Sequence, residues 1–337
     1  MRGELPVPRG PLSEALARVL GEPPAPRRSL ELPEAAADDG VFGEDFQLSL
    51  YLLYELHYRG FRQVDDRWEW HPDLIALRSD LEADFEAALR ERLPAGDAPA
   101  DPARLGASIM KLIEAEDGPQ LSVRIERSAD LDQFREFMIH RSAYQLKEAD
   151  PHSWAIPRLE GPAKAALVEV QADEYGGGRP ERVHAELFRR AMVAVGLDGG
   201  YGAYLDLIPG ATLATVNLMS LFGLHRRLRG ALVGHLALFE MTSSIPNRRY
   251  AAGLRRLGFD GDATEFFDEH VIADAVHESI AAVDLAGGLA RQEPELAADI
   301  VWGAHALDEL DRRWASRVLA AWDEGASSLR SGRLVTA

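Results

Sequence analysis

The chain has 337 residues, 46% of them hydrophobic, and a formal net charge of −18 from 37 basic and 55 acidic side chains. That length can bury a sizeable core. The excess of acid repels phosphate backbones and anionic headgroups, so neither nucleic acid nor a membrane surface is an expected partner. Cysteine is absent, which removes disulfides, thiolate metal sites, iron–sulfur clusters and Cys nucleophiles.

The first ten residues hold no apolar run of the kind that directs secretion, and no later run is long enough to span a bilayer, so a cytoplasmic protein is expected. Residues 1–40 carry many of the prolines and read as a loosely ordered N-terminal arm with one short helix at 13–20. Residues 41–125 read as a helical extension packed on the core. Helices are expected over 45–58, where Phe46, Leu48, Leu50, Leu53 and Leu56 are apolar, over 71–93 and over 105–117, with a Pro/Gly linker at 94–102. Residues 126–330 read as a further domain. Its helices are expected at 129–148, 161–175, 180–195, 210–222, 224–243, 246–257, 263–284 and 293–325, with Gly, Pro, Asn or Ser at the joints. Asp150-Pro151 closes the first of these. No stretch alternates as a strand does, so the fold class is all-α, a helical bundle around one core.

Within that bundle, His270, Asp274 and His277 stand at i, i+4 and i+7. At about 100° per residue they fall within roughly 60° of one another on a helix. Two imidazoles and a carboxylate on one stripe suit a divalent transition metal, iron in particular. One helix supplies at most three ligands. Glu174 ends one helix and His184 lies near the start of the next, and Gly176-Gly177-Gly178 between them can turn the chain sharply enough to bring the two together. Glu148 ends an earlier helix. Glu240 is a carboxylate in an otherwise apolar helix, which calls for a partner. Several carboxylates with at least one imidazole per metal are the donor set that holds two irons inside a bundle.

Other readings attach to the same residues. The stripe has the plain alternative of a solvated face beside Asp268, Glu269 and Glu278, and Glu240 that of an ion pair with Arg248 or Arg249. Glu181-x-x-His184 offers half of a ferritin-like diiron site, but that arrangement leaves His270 and Glu174 unexplained. The reading preferred to it takes Glu181 as a first-turn helix residue, where the dipole favours acid. Glu55-x-His57 fails on geometry, because i and i+2 stand about 200° apart on a helix. The three glycines before Arg179 lack the Gly-Lys-Ser/Thr ending of a phosphate loop. The arginines at 226–227, 248–249 and 255–256 read as surface ion pairs, with the alternative that one grips a substrate carboxylate.

Five blocks in order, Leu146-Lys-Glu-Ala-Asp150, Asp173-Glu-Tyr-Gly-Gly-Gly178, His184-Ala-Glu-Leu-Phe188, Phe239-Glu240 and His270-x₃-Asp274-x₂-His277, resemble the haem-oxygenase-like diiron oxidases over roughly residues 134–286. The resemblance implies a haem-oxygenase-like helical bundle that binds non-haem iron. It implies one iron on Glu148, His184 and His270, a second on Glu174, Asp274 and His277, and Glu240 close by. It further implies two Fe(II) ions, O₂ as co-substrate, a small organic substrate undergoing N-oxygenation, desaturation or oxidative C–C cleavage, a place in specialised metabolism, and a homodimer. Tyr144, Phe188 and Phe239, near these positions in sequence, are the expected pocket wall. Two different classes of protein compete with this expectation. One is a non-catalytic metal-binding or structural helical protein. The other is a haem protein, which needs one axial His and would leave the carboxylates without a purpose.

Overall fold

The computed structural model describes residues 2–24, 33–36, 40–93, 99, 101–114 and 118–330, with the side chains of 103, 112–114 and 273–276 outside that description. Among the described residues the only β pairing is an isolated bridge between Gly3 and Phe61, and the architecture is all-α.

Helix α1, Pro11–Leu20, buries Leu12, Leu16 and Leu20, an i, i+4, i+8 stripe. Its first backbone N–H groups are satisfied by a distant residue: Leu12 N and Ser13 N donate to the Asp45 carboxylate at 3.0 and 2.8 Å. Over residues 2–24 the arm is therefore tied down, where the prolines alone suggest looseness. Asp45 belongs to α2, Glu44–Glu55, which is buried along nearly its whole length. Then come α3 (Pro72–Arg92), α4 (Leu105–Glu114) and α5 (Leu121–Arg127). The last is too short and polar to show as a periodic segment.

Helix α6, Leu131–Gln145, opens on a capping box of Asp130 and Gln133 and stops three residues before Glu148, short of its expected end. Pro151 occupies the first turn of a short α7, Asp150–Ser153, where its missing N–H costs nothing. Next are α8 (Gly161–Glu174), α9 (His184–Ala194), α10 (Gly210–Leu224), α11 (Arg229–Thr242) and α12 (Ser244–Arg256). Helix α13, Glu265–Ser279, runs straight into a π-helical segment, Ile280–Ala286, and then α14, Gly287–Gln292. Such π segments appear often at functional sites. Helix α15, Ala297–Asp323, closes the bundle.

The core is one apolar cluster that runs from Leu12 to Leu329 through the arm, the extension and the remainder. Helix α10 is apolar on every side because α2, α11 and α15 all pack against it. Helices α11 and α15 cross with their backbones in contact. A Cβ on Gly234 would stand 1.8 Å from the Ile300 carbonyl oxygen, and one on Gly303 2.0 Å from that of Ala231. Only glycine permits that approach. No described helix is long and apolar enough to cross a membrane.

Candidate metal centre

Two joints and two helices bring the acidic and imidazole groups together. Glu148 lies in the turn between α6 and α7, and that turn is gripped by the end of α2. Lys147, 1% exposed, donates to Glu55 Oε2 at 2.9 Å, and Arg59 Nη2 donates to the Leu146 carbonyl at 2.9 Å. Tyr201 Oη also donates to Glu55 Oε2, at 2.8 Å. Glu55 is thus a buried counter-ion, and His57 has partners of its own in Arg78 and Glu69.

Glu174 is the last residue of α8, and His184 is the first of α9. Between them Gly176, Gly177 and Gly178 all adopt positive φ (67°, 60° and 78°). A Cβ on Gly176 would meet the Arg182 backbone at 2.6 Å, so the tight turn depends on glycine. Glu181 falls in the 3-10 turn Pro180–Arg182, ahead of α9 rather than in its first turn, and is exposed. It takes no part in the cluster, which removes the Glu-x-x-His half-site. Glu240 is in the last turn of α11, and His270 and His277 are two turns apart on α13.

The donor atoms gather in two groups, Glu148, Glu174, His184 and His270 in one and Glu174, Glu240 and His277 in the other, each set lying within 4.8 Å of one another. All six residues are buried. The Asp274 side chain lies outside the described residues. Two features of these groups stand apart from the division expected from the resemblance. Glu174 belongs to both groups, and Glu240 is a full member of the second.

His270 Nδ1 stands 2.7 Å from the Phe266 carbonyl. A carbonyl only accepts, so Nδ1 carries the proton and Nε2 is left toward Glu148, 3.6 Å away. His277 Nε2 is 2.9 Å from Asp173 Oδ2, which turns Nδ1 toward Glu240 Oε2 at 3.3 Å. His184 Nδ1 lies 3.0 Å from Glu174 Oε2. That approach is close but not aligned as a hydrogen bond. Among the described residues, Glu148 Oε2, Glu174 Oε2, His184 Nδ1 and His277 Nδ1 are all buried without a hydrogen-bond partner. Four orphaned donor atoms converging on two points are costly unless something fills them. A cation does. Across a first-row divalent ion, donors bound at about 2.1 Å stand at most about 4.2 Å apart, so the groups need only a small contraction. All the donors are nitrogen and oxygen, the chemistry that suits iron.

Electrostatics points the same way. Burial raises the Glu174 carboxyl, but His184, His270 and His277 outweigh it and hold it down at about 2. Burial disfavours charge on His270, yet Glu148 and Glu174 push it up to about 10. Burial is likewise outweighed at His277, where Glu240 and Asp173 lift it to about 9. The carboxylates thus call for positive charge inside the bundle, as protons or as metal ions.

A cavity of about 890 Å³ opens beside the cluster, with Glu148, Glu174, Glu240 and His270 on its wall. Tyr144 and Phe239 line it as expected, stacked at 5.5 Å with their planes 8° apart. Phe188 does not. It is fully buried behind the cluster, edge-on to Phe266 at 5.0 Å, and Phe266 in turn packs on the His184 and His270 rings. Asp173 and Phe266, which orient the imidazoles, carry no periodic signal of their own. Asp173 differs from any exposed helical acid only through its tertiary partner.

Among the described residues neither Arg248 nor Arg249 pairs with Glu240, which faces His277 instead. Arg255 pairs with Asp268, Arg256 binds the carbonyls of Glu126, Ile125 and Ala129, and Arg227 pairs with Glu86.

A family model described as iron-containing redox enzyme matches residues 135–312, more than half of the chain. No curated protein matches it.

Proposed function

This chain belongs to the family of iron-containing redox enzymes, an oxidoreductase family, and we propose that it is a non-haem diiron enzyme that uses O₂ to oxidise a small organic molecule. The observation that carries this reading is the sharing of Glu174 between two donor groups. A carboxylate common to two donor groups would serve two ions at once. Glu148, His184 and His270 would hold one ion, and Glu240 and His277 the other, with Asp274 as a further ligand. Bound iron supplies the activation of O₂ that no side chain offers.

The chain's own residues do the rest. Phe266 and Asp173 fix which imidazole nitrogen faces the centre. The Tyr144–Phe239 stack gives the neighbouring cavity an aromatic wall for the substrate. That cavity favours an enzyme over a purely structural metal protein, since an about 890 Å³ space beside the donors is the size of a small-molecule site. The clustered carboxylates disfavour haem. The reaction belongs to N-oxygenation, desaturation or oxidative C–C cleavage, in specialised metabolism. Residues 41–125 act as a helical extension that braces the core of 126–330, and the chain works as a cytoplasmic homodimer.

The test is O₂ uptake after anaerobic loading with Fe(II). The loaded chain should consume O₂ faster than the same iron free in buffer, and His277→Ala should lose that uptake while keeping its helical circular dichroism. Equal uptake by the variant would reject the assignment of His277.

A further inference from the structure

The wall of the cavity beside the centre is unevenly matched in charge, and the mismatch bears on what the cavity holds. What it holds follows once that cavity is taken, as proposed above, to be the substrate site. Three arginines line it. Arg141 faces Asp311 at 3.5 Å and lies 4.2 Å over the Trp314 ring. Arg312 donates to Asp308 at 2.9 Å. Each therefore has a carboxylate of its own on the same wall. Arg249 does not. Among the described residues it donates one hydrogen bond, to Ser122 Oγ at 3.1 Å, and its ion-pair partner Glu126, which is not among the residues on the cavity wall, stands 3.9 Å from Nε, beyond hydrogen-bond reach.

A guanidinium presents five N–H donors in a fork that matches a carboxylate or phosphate two bonds at a time. With one bond formed among the described residues, Arg249 keeps most of that capacity. Its side chain is 34% exposed, against 10% for Glu148, so it stands at the solvent end of the cavity. On the same helix Asn247 also lines the cavity. It is 7% exposed, and its side-chain amide forms no hydrogen bond among the described residues. The stacked rings of Tyr144 and Phe239 line the same cavity as these polar groups and the carboxylates of Glu148, Glu174 and Glu240. One cavity thus presents a cationic fork, an aromatic wall and the donor cluster.

We propose that the cavity takes an amphipathic anion. Its carboxylate or phosphate pairs with Arg249 at the mouth, and its apolar body lies along the Tyr144–Phe239 stack, so that its far end reaches the carboxylates of Glu148 and Glu240. Arg249 is then the residue that selects the substrate by charge.

The experiment uses the full-length chain without metal and measures binding of four probes by calorimetry: phenylhexanoate, phenylhexyl phosphate, phenylhexylamine and phenylhexanol. A charge-assisted bidentate pair predicts that at least one anion binds about tenfold or more tighter than the amine and the alcohol. Arg249→Gln should erase that preference, and Arg249→Lys should keep part of it. The alcohol should bind Arg249→Gln as it binds the parent, which reports that the cavity is intact. The better of the two anions identifies the headgroup. An amine or alcohol that binds as tightly as the anions, no binding of either anion, or an undiminished anion preference in Arg249→Gln would overturn the proposal. Because no metal is present, this outcome is independent of whether the cluster binds iron, which a separate metal titration decides.

Discussion

At the scale of single residues, the cluster depends on side chains that touch no metal position themselves. Asp173 is 63% exposed, yet it holds His277 Nε2 at 2.9 Å. Outer partners of this kind typically change metal affinity ten- to a hundredfold. Exposure places Asp173 at the low end, so Asp173→Ala should weaken Co(II) or Fe(II) binding about tenfold without unfolding the chain. A competition titration that gives parent-like affinity would show that Asp173 does not orient the ring. The stripe of His270 and His277 was legible because helical periodicity turns sequence spacing directly into a shared face. Glu174 and His184 were legible because three consecutive glycines announce a tight turn. Asp173 was not, because what distinguishes it is a contact across about a hundred residues. Phe188 was misplaced for a related reason: nearness to His184 along the chain says nothing about which side of the helix faces the cavity.

At the scale of elements, the turn that carries Glu148 depends on the N-terminal extension. The buried Lys147–Glu55 pair joins α2 to that turn, and the Tyr51 and Tyr58 rings flank the ammonium at 5.1 and 4.1 Å. Removing one partner of a buried pair leaves a bare charge in the core, a loss of about 3–5 kcal/mol. Lys147→Met should cost that much in urea unfolding, and adding Glu55→Gln should recover part of it. A single variant as stable as the parent would mean that the pair does not clamp the turn. The sequence shows Glu55 and Lys147 only as polar residues near helix ends, since ion pairing between distant segments leaves no local pattern. The starts of α6 and α9 differ from expectation because capping at Asp130 and the glycine turn, rather than apolar period, set them.

At the scale of the whole molecule, buried imidazoles outside the two donor groups make stability depend on pH. Burial, with a smaller contribution from Arg141, lowers His140 to about 3, and burial lowers His152 to about 4. An unfolded histidine takes up its proton near pH 6.5. Between that pH and the folded value the unfolded state therefore binds more protons. This contribution to stability is fully present above pH 6.5 and is lost as pH falls toward about 3. The raised imidazoles His270 and His277 act with the opposite sign, so a comparison of variant with parent isolates the effect. In His140→Gln, the fall of unfolding free energy between pH 6 and 4 should be shallower by about one proton per molecule. Parallel curves would show that His140 does not stay neutral. The all-α class was legible from helix-forming composition and spacing. The cavity, and the single core that joins arm to bundle, were not, because both arise only when all the helices are in place.

The central claim is that Glu174 joins two metal positions, and anaerobic Fe(II) titration with metal analysis tests it most directly. The parent chain should bind two irons. Glu174→Ala should lose the pair, falling to one iron or none with its helical content kept. A parent that saturates at a single iron, or a Glu174→Ala chain that still binds two, would contradict the account.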